Sequence, residues 1–349
     1  MIRKNFLIFL LIISPIVLAI SFNINNEAEK GLRFLANENN ILFGTSVAYN
    51  PLLMDRKYKD TVVNEFNTIT IENSMKFSYI HPEIETYDFK KSDEIVQFAL
   101  NNNLKIRGHT LVWHKQLPNW ITKEKYSEDE LKRILRGHIQ TIVSHYKGKF
   151  YALDVVNEAF NEDGSLRENI WLKGIGPEYL ELAFKWAHDA DPDVPLFYND
   201  YGNEVENDKS NAIYNMFKKL REKGVPITGI GFQMHTSIEH TLDYKAIEKN
   251  INRFNKLGLE VQITELDVKI PEAQKSKEES YFKQAEIYSK MLKMCLGING
   301  CTAFTIWGVT DKYTWLEKDN TNYKPLLFDE NYRKKPSYKA IFNELKDLK

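Results

Sequence analysis

Residues 260–268 read EVQITELDV, with Val261, Ile263, Leu266 and Val268 set among Gln262, Thr264, Glu265 and Asp267. Successive side chains of a strand point to opposite faces. A strand that mixes polar and apolar residues in this way fits a packed barrel, one face turned inward and the other against helices. Working outward from it, seven more short β-branched runs occur, at 41–48, 67–73, 105–113, 151–159, 194–200, 229–235 and 301–309. Amphipathic stretches of helical period lie at 92–102, 127–146, 177–189, 208–223, 243–257, 278–296 and 337–348. The segment after the first strand carries no comparably clear helical pattern. Ser127 followed by Glu130 reads as a capping box, and Gly224 and Gly258 stand just past helix ends. Eight such units in about 330 residues predict an α/β chain, a single-domain (β/α)8 TIM barrel over 21–349. A doubly wound open sheet would need a glycine-rich phosphate turn after the first strand, and none is present.

Composition narrows the class of ligand. The 349 residues hold 47 Lys and Arg against 48 Asp and Glu, with no basic stripe, so nucleic acid has no electrostatic footprint and a neutral ligand fits better. Arg3 and Lys4 precede an apolar run over 6–18 that ends near Val17-Leu18-Ala19. That is the pattern of a secretory signal peptide over 1–20, cleaved after Ala19 or Ser21, and it implies a secreted protein, extracellular or periplasmic. The run is broken by Ser14-Pro15 and is short for a span, so no membrane association is expected after leader removal. Loss of Arg3 and Lys4 takes the formal charge from −1 to −3. Cys295 and Cys301 are the two cysteines, and in an oxidising compartment they are expected to form a disulfide, a staple worth about 2 kcal/mol.

The ends of the strands carry the chemistry, because a barrel places its active site at their C-terminal rim. Strand two ends Glu72-Asn73, strand three holds His109 and Trp113-His114, and strand four ends Asn157-Glu158. Strand five ends Asn199-Asp200-Tyr201, strand six Gln233-Met234-His235, strand seven Glu265-Leu266-Asp267, and strand eight at Trp307. Glu158 and Glu265, on strands four and seven, lie across the barrel mouth from one another, as a reaction needing one acid and one carboxylate across a glycosidic bond requires. A lone strand-end Glu is otherwise a surface ion pair, but Asn157 beside Glu158 and Ala159-Phe160 after it make a poor solvated loop.

Seven strings fall in order at these strand ends: ENSMK from Glu72, GHTLVWHKQLPNW from Gly108, DVVNEAF from Asp154, YNDY from Tyr198, GFQMH from Gly231, ITELDV from Ile263 and TIWGVTDKYTW from Thr305. Together they resemble glycoside hydrolase family 10, the endo-β-1,4-xylanases, over about residues 30 to 348. The resemblance implies hydrolysis of xylan and xylo-oligosaccharides by a retaining double displacement, with Glu158 as general acid/base and Glu265 as nucleophile, their carboxyl groups about 5–5.5 Å apart. Glu265 would stay ionised while Glu158 holds a proton near neutral pH, helped by the neighbouring negative charge. His235 would hydrogen-bond the nucleophile and be oriented by Asp267. Asn157 would bind the sugar 2-hydroxyl at subsite −1, with His109 and Gln233 among the residues around the substrate. Glu72, Asn73 and Lys76 would floor subsite −2, with Trp113 and Gln116 alongside; Trp307 and Trp315 would roof the glycone, and Tyr201 would be the platform at subsite +1. Neither metal nor cofactor is implied, and a monomer is the family expectation. Phe77, Gly202 and Leu316 depart from the usual pattern, so chain-length preference is not carried over.

Three rival readings stay open. His109, His114 and His235 raise a metal-dependent hydrolase, although no H-x-H pair occurs. A related barrel glycanase acting on mannan or cellulose, and a binding protein that has lost catalysis, are the others.

Overall fold

In a computed structural model of the chain, residues 30–272, 274, 276–316 and 323–348 are described. The signal-peptide reading of 1–20 lies outside them. Nine strands form one parallel sheet: β1 Leu42–Val47, β2 Thr68–Ile71, β3 Lys105–Gly108, β4 Ala152–Asn157, β5 Leu196–Asp200, β6 Gly229–Phe232, β7 His235–Ser237, β8 Glu260–Lys269 and β9 Cys301–Ile306. Neighbours run β6-β5-β4-β3-β2-β1-β9-β8, and β6 pairs back onto β8, closing an eight-stranded barrel. The short β7 continues strand six beside the far end of β8. The expected (β/α)8 barrel is what forms.

The helices follow the predicted stripes within a residue or two. In α11, Tyr244–Asn255, residues Ile247, Asn250, Ile251 and Phe254 are buried at the spacing of one helix face, and the helix packs on β8. Fully burying an Ile or Phe contributes roughly 1.5–3 kcal/mol. The capping box opens α7, Glu128–His145, where Ser127 and Glu130 exchange side-chain and backbone bonds. After β1, where the pattern was unclear, stand α2, Tyr49–Met54, and α3, Arg56–Glu65, the latter capped by Asp55. Cys295, in α12 (Lys277–Leu296), and Cys301 at the start of β9 form the expected disulfide.

Two strand readings are corrected. Strand three stops at Gly108 instead of running to Trp113. Gly108 stands opposite Leu153 but Val112 stands opposite Val156, so four steps on one side match three on the other and the ladder is broken between them. Strand six stops at Phe232, because Met234 takes a left-handed φ of 62° before β7 resumes pairing. At the base of the barrel, Glu65 accepts from Leu32 N at 2.8 Å and from the Tyr338 hydroxyl at 2.9 Å. It thus ties α1, Leu32–Glu38, to α13, Pro336–Lys346.

Candidate active site

Bulges place the two glutamates. Along β4 and β5 the pairing runs Asp154 to Phe197 and then Val156 to Tyr198, leaving Val155 extra just before Asn157 and Glu158. Along β8 and β9 it runs Ile263 to Phe304 and then Leu266 to Ile306, leaving one extra residue in the stretch that holds Glu265. A bulge re-aims the side chains beside it. Glu158 then takes a left-handed φ of 55°, as do Gln116 at 50° and Met234 at 62° around the same rim. For a residue with a Cβ this conformation costs roughly 1–2 kcal/mol and persists only when the surroundings hold it.

All fourteen of the predicted catalytic and substrate-binding residues line one cleft of about 1040 Å³ at the C-terminal rim. Asp267 stands behind it, fully buried. Glu158 and Glu265 hang on one network. Asn199 Nδ2 donates to Glu265 Oε1 at 2.6 Å and to Asn157 Oδ1 at 2.9 Å, while Gln233 Nε2 donates to the same Asn157 oxygen at 3.2 Å and to Glu158 Oε1 at 3.3 Å. Asn199 has room because Gly231 faces it: a Cβ there would lie 2.2 Å from Asn199 Oδ1.

The other oxygen of Glu265 accepts from His235 Nε2 at 3.2 Å, and His235 Nδ1 donates to Asp267 Oδ2 at 2.9 Å. Burial opposes a charge on His235, but the two carboxylates outweigh it and push the ring up to about 10. Both ring nitrogens therefore donate at neutral pH. A histidine raised from 6.5 to about 10 stabilises the fold fully below pH 6.5 and loses that contribution as pH rises through 10. The thermal midpoint should fall by several degrees across that window, and by less in His235→Gln. Calorimetry that gave the two proteins equal slopes would remove His235 as the cause.

The glycone end is built on stacked and bridged groups. Lys76 Nζ donates to Asn73 Oδ1 and Asn73 Nδ2 to Glu72 Oε1, both at 2.9 Å, with the ammonium 5.0 Å above the Trp113 ring. Burial pushes Glu72 up and Lys76 down from their ordinary values. Trp315 is 40% exposed and donates from its indole to Asp267 Oδ2 at 2.8 Å, sharing that oxygen with His235. Trp307 is buried, edge-on to His109.

Four groups were given no part in the glycosidase site by the sequence. Asn199 is one. Arg107 is a second, inside the barrel: it pairs with Asp154, which also accepts from His109 Nδ1 at 2.9 Å. Burial opposes the Asp154 charge, yet Arg107 and His109 together lower its carboxyl, which fixes His109 as an Nδ1–H donor. His114 is the third, with Nδ1 3.9 Å from Glu158 Oε2 and the ring lowered by burial to about 4. The fourth is Arg167, which bonds the Glu158 carbonyl and the Tyr201 hydroxyl. Parity along a strand could have marked Asn199 and Asp154; nothing local marks Arg167.

One expectation about the cleft is not met. The sequence reading expected the neighbouring negative charge to help Glu158 hold its proton, and burial acts in the same direction. The nearby Trp113 indole, the Gln233 amide and the Lys115 charge outweigh burial, and the carboxyl lies below its usual range. Among the described residues, no group of three His, Cys, Asp or Glu side chains is arranged to hold a metal ion, and no helix is long and apolar enough to cross a membrane.

The sequence pattern of Glycosyl hydrolase family 10 matches residues 31–344. The chain belongs to that family. It is 47% identical over 315 residues to endo-1,4-beta-xylanase B of Thermotoga neapolitana, covering 89% of this chain and 90% of that one. The crystal structure of native xylanase 10B from Thermotoga maritima superposes with a TM-score of 0.88 at 48% identity, covering 91% of this chain and 98% of the other. Xylanase 10B from Thermotoga petrophila in complex with xylobiose gives the same TM-score and identity, covering 91% and 97%. Membership in family 10 makes the chain a glycosyl hydrolase.

Proposed function

We propose that this family 10 member is an endo-1,4-β-xylanase that cuts internal bonds of xylan with retention. The observation that carries the reading is the pair of buried carboxylates, Glu158 and Glu265, tied through Asn157, Asn199 and Gln233 on one cleft. The names of the relatives support the substrate. In the first step a Glu265 oxygen attacks the anomeric carbon while Glu158 gives its proton to the glycosidic oxygen; the carbon–oxygen bond breaks and an ester forms. In the second, Glu158 takes a proton from water, the water oxygen attacks the same carbon, and Glu265 leaves as carboxylate. A sugar covering Glu158 removes its remaining water and so raises its proton affinity from the ligand-free value. The donors on Glu265, Asn199 and His235, hold the nucleophile in place. A carboxyl separation of about 5–5.5 Å belongs to this mechanism. Xylose lacks the hydroxymethyl group of glucose, so the roof of Trp307 and Trp315 is expected to admit xylan and reject cellulose by clash. The active form is proposed to be a secreted monomer.

Time-resolved proton NMR of xylopentaose tests this, with cellopentaose in parallel. The new reducing ends should appear first as the β-anomer, with the cello-oligosaccharide uncut. Early α-anomer would overturn the nucleophile assignment, efficient cellopentaose cleavage the selectivity, and no cleavage by folded protein the catalytic reading itself.

A further inference from the structure

Arg167 lies nine residues beyond Glu158, on the return arm of a small hairpin in which Phe160 pairs with Leu166 and Arg167 N donates to Ala159 O at 2.7 Å. Its guanidinium turns back over the rim. Nε donates to the carbonyl oxygen of Glu158 at 3.1 Å, and Nη2 donates to Phe160 O at 3.0 Å and to the Tyr201 hydroxyl at 3.1 Å. Among the described residues it forms no ion pair, so its donors are committed to two carbonyls and a phenol. Lys209 Nζ sits 3.8 Å from the centre of the Tyr201 ring, and the Tyr201 backbone N–H donates to Asp200 Oδ1 at 2.9 Å. Around the left-handed Glu158 the neighbouring backbone bonds are also made, Glu158 N to Asn199 O and Ala159 N to the Tyr198 hydroxyl, both at 2.9 Å. Arg167 bonds directly to both this backbone and the hydroxyl of the aromatic ring on the cleft wall.

We propose that Arg167 is a positioning residue for proton transfer: one guanidinium holds the backbone of Glu158 and the phenol of Tyr201 in fixed relation, setting the acid against the oxygen of the departing sugar. The proposal rests on Glu158 being the acid/base. A displacement of about 1 Å in such a constellation costs on the order of 10²-fold in rate. The loss should depend on the leaving group, because a good leaving group needs little protonation and a sugar needs much.

The test is kcat/KM for the full-length protein on xylohexaose and on a series of aryl β-xylobiosides, from 2,4-dinitrophenyl to unactivated phenyl. Arg167→Met should lose about 10²-fold on xylohexaose and at least tenfold less on the dinitrophenyl glycoside, so that the dependence on leaving-group acidity steepens. Arg167→Lys, which keeps a charge and one of the bonds, should fall between, and it carries the test alone if the Met variant does not fold. Tyr201→Phe, which removes only the bond to the phenol, should steepen the series less than Arg167→Met. Equal losses on all substrates in folded Arg167 variants would reduce the residue to a structural tie and overturn the proposal. Glu158→Ala, run alongside, separates the two readings: if it too shows no leaving-group dependence, the acid/base assignment has failed.

Discussion

Replacing Glu265 by Gln is expected to lower xylan hydrolysis by about 10⁵-fold, the order lost when a covalent nucleophile is removed while the rest of a site remains. The amide keeps the size of the carboxyl and a partner for Asn199, but it lacks the charge needed to form an ester with the anomeric carbon. It also leaves the His235 imidazolium facing a neutral group. Initial rates on xylan measure the loss. Glu265→Ala gives a sharper reading, since azide can enter the emptied space and attack an activated xylobioside from that face. The product should be the α-glycosyl azide. Activity within a hundredfold of the unsubstituted enzyme, or a β-azide, would remove Glu265 from the role.

The second large effect is selective. Glu158→Ala should lose 10³- to 10⁴-fold on xylan, the upper range for one general acid/base group. On 2,4-dinitrophenyl β-xylobioside the first step needs no acid, so the glycosyl-enzyme should form in a burst and then persist, because no base activates water. Azide should restore turnover and give the β-glycosyl azide. Parallel losses on both substrates, with no burst, would show that the carboxyl at 158 does not transfer the proton.

These assignments were legible because the barrel sorts residues by position along each strand: polar groups at Asn157-Glu158 and Glu265-Leu266-Asp267 could only meet at one rim. The alternation in residues 260–268 carried the fold for the same reason. What stayed hidden depends on pairing across the ladder. Residues 111–113 look like a continued strand, since Leu111 and Val112 are apolar and β-branched or aliphatic, and nothing in them reveals the broken register. The bulges beside Asn157 and around Glu265 are equally silent, because an extra residue shows only against its partner strand. Arg107 reaches Gln262 across 155 positions, and Arg167 reaches Tyr201 across 34. The proton affinity of Glu158 was misread because the neighbouring negative charge was counted and the groups around it, Gln233 from one segment and Trp113 and Lys115 from another, were not.

The bond between Glu65 and Tyr338 spans 273 positions, and Asn39 donates to the Leu345 carbonyl across 306. With β1 paired directly to β9, the seam of the barrel joins its first strand to its last. A growing chain can assemble its middle units against one another, yet it leaves the edges of β1 and β8 unpaired until β9 and α13 have been synthesised. Such long closures are slow and keep strand edges open meanwhile. The cleft between Glu158 and Glu265 therefore takes its final shape only when the seam closes, and the strand edges of β1 and β8 stay open until then.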